Sequence, residues 1–101
     1  MFKAMILLKR KDGLSFEDFQ RHWLEVHAPL VRQLPGLRES VFNFDLSAGD
    51  GDTDAVSELW FDTEQAFTDA YASEIGQQVA ADALSMVSSR VRILVEEHEV
   101  F

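Results

Sequence analysis

Apolar residues come in two rhythms along this chain, a period of two and a period near 3.6, and the two alternate. Phe2, Ala4, Ile6 and Leu8 share one parity and Met5 and Leu7 the other, so 2–11 reads as a strand. Asp12-Gly13 makes a turn, and Ser15 is an N-cap with Asp18 three residues on. Phe16, Phe19, Trp23, Val26 and Leu30 recur at spacings of three and four, which predicts a helix from Phe16 to Leu34 that Pro35-Gly36 ends. Leu37 to Leu46 reads as a second strand, Ala48 to Asp54 as a polar loop, and Ala55 to Phe61 as a third strand. Asp62-Thr63 caps a second helix through Ala66, Phe67, Ala70 and Tyr71. A break is expected near Ser73 to Gly76, with helix resuming through Val79, Ala83, Met86 and Val87. Val91 to Phe101 is the last strand.

The order βαββαβ predicts an α+β, ferredoxin-like domain spanning 1–101, with a four-stranded antiparallel sheet and both helices on one face. The strands are apolar on both parities: Ile6 and Leu7, Val41 and Phe42, Trp60 and Phe61, Ile93 and Leu94. Helices cover one face only, and the other would expose a large apolar patch. A second copy packed sheet to sheet covers it, so a homodimer is expected. The plain alternative is a monomer whose second face is half polar, as Asn43, Glu58, Arg92 and Glu96 allow.

Charge and composition narrow the partners. A formal charge of −9 argues against nucleic acid and anionic membrane. The charge is uneven: residues 1–40 carry seven basic groups against five acids, and 41–101 two against thirteen. Lys9, Arg10 and Lys11 therefore read either as a solvated strand end or as a patch that steers an anion. The absence of cysteine excludes thiolate catalysis and disulfides and fits a cytoplasmic protein. No run of residues resembles a signal segment or approaches a membrane span.

Histidine is the main candidate for chemistry. On an ideal helix His27 falls about 60° from the centre of the apolar stripe and His22 about 80° away on the other side. The two then point about 140° apart and do not share a metal, which a helix holds at i and i+4. Pro29 cannot donate to the carbonyl of Glu25, so the helix should kink or loosen beside His27. A partly buried imidazole there is tuned to exchange protons near neutrality; the plain alternative is a histidine that hydrogen-bonds a carbonyl and seats the kink. Glu58 is a candidate pocket acid or an exposed strand residue, and Lys9 a candidate anion contact. Trp23, Trp60, Phe42, Phe44 and Phe67 would line a cavity between helices and sheet. Phosphate-binding glycine loops, a nucleophile elbow and a dinucleotide fingerprint are all missing, so no cofactor is expected.

Leu7-Leu8-Lys9-Arg10-Lys11, Gly13-Leu14-Ser15, Phe19, Trp23, His27-Ala28-Pro29-Leu30 and Leu34-Pro35-Gly36 together resemble the EthD family of dimeric α+β barrels. Glu58-x-Trp60-Phe61-Asp62 and the Glu-rich end add to the likeness. The resemblance implies a ferredoxin-like subunit that pairs through its sheet. The family is named for an accessory of an alkyl-ether-degrading system, and members often carry oxidoreductase labels. Related barrels include isomerases, cyclases and dehydratases of lactones or aromatic polyketides, in which a histidine at the position of His27 moves a proton or binds the ligand. Methyl-muconolactone isomerases of this type add a second-strand tyrosine and another histidine. This chain instead has Glu39, Ser40 and Val41 there, and no histidine between His27 and His98.

The expectation is an acid–base enzyme or enzyme component acting on a small apolar, aromatic or lactone metabolite. In it His27 is catalytic, and Lys9, Trp23, Phe42, Glu58 and Trp60 bind the substrate. A non-catalytic ligand-binding accessory and a cofactor-free monooxygenase are the alternatives.

Overall fold

The computed structural model describes residues 1–47 and 51–101; Ala48 to Asp50, part of the expected polar loop, lie outside them. Four strands, β1 (Phe2–Arg10), β2 (Glu39–Phe44), β3 (Ala55–Phe61) and β4 (Val87–Glu96), form one sheet in the order β2-β3-β1-β4. Every neighbouring pair is antiparallel. Helix α1 (Phe16–His22), a single π-helical turn (Trp23–His27) and α2 (Ala28–Val31) form the first crossover. Helices α3 (Glu64–Ala72) and α4 (Glu74–Met86) form the second. This is the ferredoxin-like α+β fold that the alternating periods predict.

Local chemistry sets the boundaries. Ser15 accepts the Asp18 N–H at 3.1 Å and starts α1, and Thr63 accepts that of Ala66 at 3.1 Å and starts α3. Ser73 ends α3 and caps α4 by accepting the Gly76 N–H, which is the break expected there. A Cβ on Gly76 would collide with the Ala70 carbonyl and the Tyr71 backbone, so only glycine lets the two helices meet this closely.

Strand limits differ from those expected. β2 is shorter at both ends. β4 begins at Val87, four residues before Val91, because a register shift between Lys9 and Arg10 lets Arg10 pair with Val87. The Lys11 N–H donates to the Met86 carbonyl at 2.9 Å, so α4 passes straight into the strand. Beyond Glu96 the chain has no regular structure.

The π-turn has the largest consequence. The Ala28 N–H bonds the Trp23 carbonyl, five residues back. Pro29 has no N–H with which to continue the ordinary i−4 ladder, which is the local reason for loosening. One extra residue in the turn shifts the phase of everything after it. The buried stripe therefore runs Phe19, Trp23, His27, Val31 and Leu34, and Val26 is exposed. The expected stripe through Val26 and Leu30 is corrected by one position, and His27 takes the core place.

The core lies between the helices and one face of the sheet: Ala4, Ile6, Leu8, Ala55, Leu59 and Phe61 from below, Phe19, Trp23, Phe67, Val79 and Ala83 from above. Met5, Leu7, Val56, Glu58 and Trp60 alternate with these strand residues and occupy the opposite face.

Candidate active site

His27 is 4 % exposed. Its ring stacks on the Trp23 indole with centroids 3.8 Å apart and planes 18° from parallel. The indole N–H donates to the Ser57 hydroxyl on β3 at 3.1 Å, and Phe42 on β2 packs 6.0 Å from the imidazole. The ring thus packs against Trp23 from its own turn and Phe42 from β2, which limits its freedom.

The partner of His27 is Asp82, on α4. The His27 Nδ1 donates to Asp82 Oδ2 at 2.8 Å. The His22 Nε2 reaches the same carboxylate, 2.9 Å from Oδ1 and 3.0 Å from Oδ2. The expected 140° divergence of the two histidines is therefore wrong here. A π-turn has more residues per turn, so positions five apart fall on one side, and both rings grip one acceptor. A carboxylate only accepts, so it holds the proton of His27 on Nδ1 and leaves Nε2 as a lone-pair acceptor.

Burial holds the His27 pKa below its ordinary 6.5, against Asp82, which raises it, and with His22 adding a smaller lowering. The ring is consequently a neutral base at pH 7. It lines a narrow cavity with Ile6, Leu8, Phe42, Tyr71, Arg90 and Arg92. The space open to the centres of water-sized molecules is about 20 Å³, room for about one water, so a larger guest must displace side chains. Burial pushes the Tyr71 phenol up to about 12, against Arg90 and Arg92, which lower it. It remains a hydrogen-bond donor at neutral pH.

The residues singled out by sequence do not gather in one place. Trp23 and Phe42 line the His27 cavity. Glu58 and Trp60 lie on the opposite face of the sheet, so Trp60, expected between helices and sheet, is not there. Glu58 accepts from Lys3 at 2.9 Å and Asn43 at 2.8 Å, and the Trp60 indole donates to Glu97 at 2.7 Å. Phe67 sits in the core against Phe2, Phe61 and Tyr71, away from the cavity lining. Lys9 lies at the end of β1, where it donates to the Gly51 carbonyl at 2.8 Å and approaches the buried Asp54 at 3.5 Å. Arg10 also clamps Asp54, through Nη1 and its backbone N–H, both at 2.7 Å. This part of the expected basic patch is spent on an internal carboxylate.

Asp82, Tyr71, Arg90 and Arg92 were not found by sequence. Asp82 is one carboxylate among eighteen acids, and nothing local marks it. Tyr71 is the single tyrosine, yet its helical spacing reads as core. Among the described residues no group of three or more acidic, histidine or cysteine side chains could hold a metal ion. No helix of the described residues is long and apolar enough to cross a membrane.

A family model described as the EthD domain matches residues 11–89. An uncharacterized 11.0 kDa protein from the thcB–thcC intergenic region of Rhodococcus erythropolis is 29% identical over 83 residues, covering 80% of this chain and 81% of its own. The crystal structure of an EthD family protein from Bacillus halodurans superposes with a TM-score of 0.84 at 23% identity, over 97% of this chain and 99% of that one. A dimeric ferredoxin-like protein of unknown function from Thermobifida fusca gives 0.77 at 19% identity, over 93% and 88%. SnoaB, a cofactor-independent oxygenase from Streptomyces nogalater, gives 0.74 at 13% identity, over 98% and 94%. At these identities the structural likeness establishes the fold.

Proposed function

The chain belongs to the EthD family, and from that premise we propose that it moves a proton on a small apolar or aromatic carbonyl compound, with His27 as the base. One observation carries this reading: a buried imidazole whose Nδ1 is committed to Asp82 while the ring borders a cavity. The arrangement matches the base and orienter of a catalytic triad without the nucleophile. The step breaks a C–H bond beside the carbonyl. The proton goes to Nε2, and the electron pair becomes the C=C of an enolate, whose oxygen accepts a hydrogen bond from Tyr71. Return of the proton to another carbon completes an isomerisation. Trp23 and Phe42 shape the pocket, and Asp82 and His22 are positioning residues.

Exchange of carbon-bound hydrogen in heavy water tests it. Ethyl acetoacetate, phenylpyruvate and α-angelica lactone, followed by proton NMR, should exchange about 10²–10⁴-fold faster with the protein than with His27→Ala. Equal rates for both proteins, with every probe, would end this reading. Binding without exchange would favour the accessory role. The same enolate is also the species on which a cofactor-independent oxygenase acts with dioxygen, a reading that the likeness to SnoaB favours. Oxygen uptake dependent on His27 would select it.

The proposal includes a second copy over the open sheet face. Val41, Val91 and Ile93 there are 37%, 51% and 44% exposed, and a dimeric protein shares the fold. Light scattering at micromolar concentration should give twice the mass of 11.5 kDa, and Ile93→Asp should return it to one subunit. A monomeric parent would remove this part. A cytoplasmic setting belongs to the same proposal, since a chain without cysteine needs no oxidising compartment to fold.

A further inference from the structure

Beyond residue 40 the chain has two basic residues against thirteen acids, and both, Arg90 and Arg92, line the His27 cavity. They stand two apart on β4, opposite Leu8 and Ile6, and so share the helix-facing side of the sheet. Lys3, Lys9, Arg10, Arg21 and Arg38 each sit on a carboxylate, while among the described residues the exposed Lys11 and Arg32 do not and lie outside the cavity. Among the described residues neither Arg90 nor Arg92 has an ion pair or a guanidinium hydrogen bond; Arg92 lies 5.7 Å over the Phe67 ring. In a chain of net charge −9 acceptors are plentiful, yet these two forks are held side by side without one. Like charges on adjacent positions of one strand face repel. A bound anion would relieve that repulsion and fill the donors.

We propose that Arg90 and Arg92 form a subsite for the carboxylate of a small organic acid, seated at the mouth of the His27 cavity. This rests on the proton-transfer reading for its consequence and sharpens the substrate class to an acid with an enolisable carbonyl. The carboxylate takes the two guanidinium groups, whose planar forks suit it. The carbonyl oxygen faces Tyr71, and the adjacent C–H faces His27. The two arginines then also favour the enolate, because negative charge develops near them in a site with little water.

Isothermal titration of the full chain with phenylacetate and with phenylacetamide, its neutral counterpart, tests the subsite. The acid should bind at least about tenfold more tightly, and the preference should shrink with added salt. Arg90→Met with Arg92→Met should remove the preference and leave amide binding unchanged. Should that pair of changes unfold the chain, Arg90→Lys with Arg92→Lys keeps the charge, loses the fork and should give a partial loss. Equal affinity for acid and amide, no binding of phenylacetate at millimolar concentration, or full preference in the methionine variant would overturn the proposal. So would a methionine variant that changes only the subunit mass, since the arginines would then serve an interface. Arginine-dependent binding without His27-dependent exchange leaves the subsite and removes the proton transfer. His27-dependent exchange of phenylpyruvate that is unaltered in the methionine variant does the reverse.

Discussion

The two faces of this sheet are built from neighbouring residues and do opposite things. Ser57 on β3 points to the helices, is buried, and holds the Trp23 indole that backs His27. Glu58, the next residue, points away and joins Lys3 and Asn43 in a polar cluster that Glu97 extends through Lys3 and Trp60. On the helix side Trp23, Ser57, His22, His27 and Asp82 are each fixed by a partner on another element, so their positions are set by packing. On the open side long charged chains pair with one another, Lys3 and Glu58 largely covered and Glu97 more exposed. Glu97 and then Glu58 hold Lys3 above its usual 10.5, which records good geometry rather than a large stability. The comparison teaches that the His27 cavity forms where alternation and the π-turn coincide.

The difference is open to three tests. The largest effect is expected from tryptophan removal. Trp23→Ala should cost about 3–5 kcal/mol in denaturant unfolding, because the ring is wholly buried. Trp60→Ala on the open face, with both tryptophan changes made in the single-subunit Ile93→Asp background, should cost under about 2 kcal/mol. Equal losses would break the distinction between the faces.

Asp82→Ala comes next. It leaves two imidazole N–H groups without their shared acceptor and should cost about 1–3 kcal/mol. Nitrogen NMR of the imidazoles should show His27 no longer fixed as the Nδ1–H tautomer. His22→Ala should cost less and keep that tautomer, since Asp82 remains on His27. A His27 tautomer unmoved by loss of Asp82 would remove its positioning role.

The smallest effect is the pH dependence. The folded-state pKa of His27 lies below that of the unfolded chain, about 6.5, chiefly through burial. Above that value the ring is neutral in both states, and stability is whole. As the pH falls from there toward the folded value, the unfolded chain gains a proton that the folded one resists, and stability declines. Asp82 and His22 face the ring, and Tyr71, Arg90 and Arg92 share its cavity. Unfolding midpoints at pH 7.5 and 5.5 should differ less in His27→Gln than in the parent. An identical difference would assign the decline to other groups.

Much of the architecture was legible from periodicity. The limits of β3 were read correctly because the polar loop ending at Asp54 and the Asp62-Thr63 cap bound its seven residues. Ser73 and Gly76 marked the helix break because both residue types are local signals. The place of His27 beside a loosened turn was legible through Pro29, and Trp23 and Phe42 were read as cavity-lining residues, which is where they lie. Val26 was misplaced because an ideal helix was assumed; the phase shift comes from a single turn whose closure depends on packing as well as on proline. Trp60 was misplaced because a strand apolar on both parities does not say which parity meets the helices.

The order of side chains fixed what each element would be, since backbone propensity and hydrophobic spacing act over a few residues. The meeting of His22 and His27 on Asp82, and of Tyr71 with Arg90 and Arg92, was decided only when the helices crossed the sheet. Those contacts span as many as 60 residues of chain, as from His22 to Asp82, and no local rule encodes them. Charge and hydrogen-bond partners are chosen by where folding places them, which is a property of the whole packed domain.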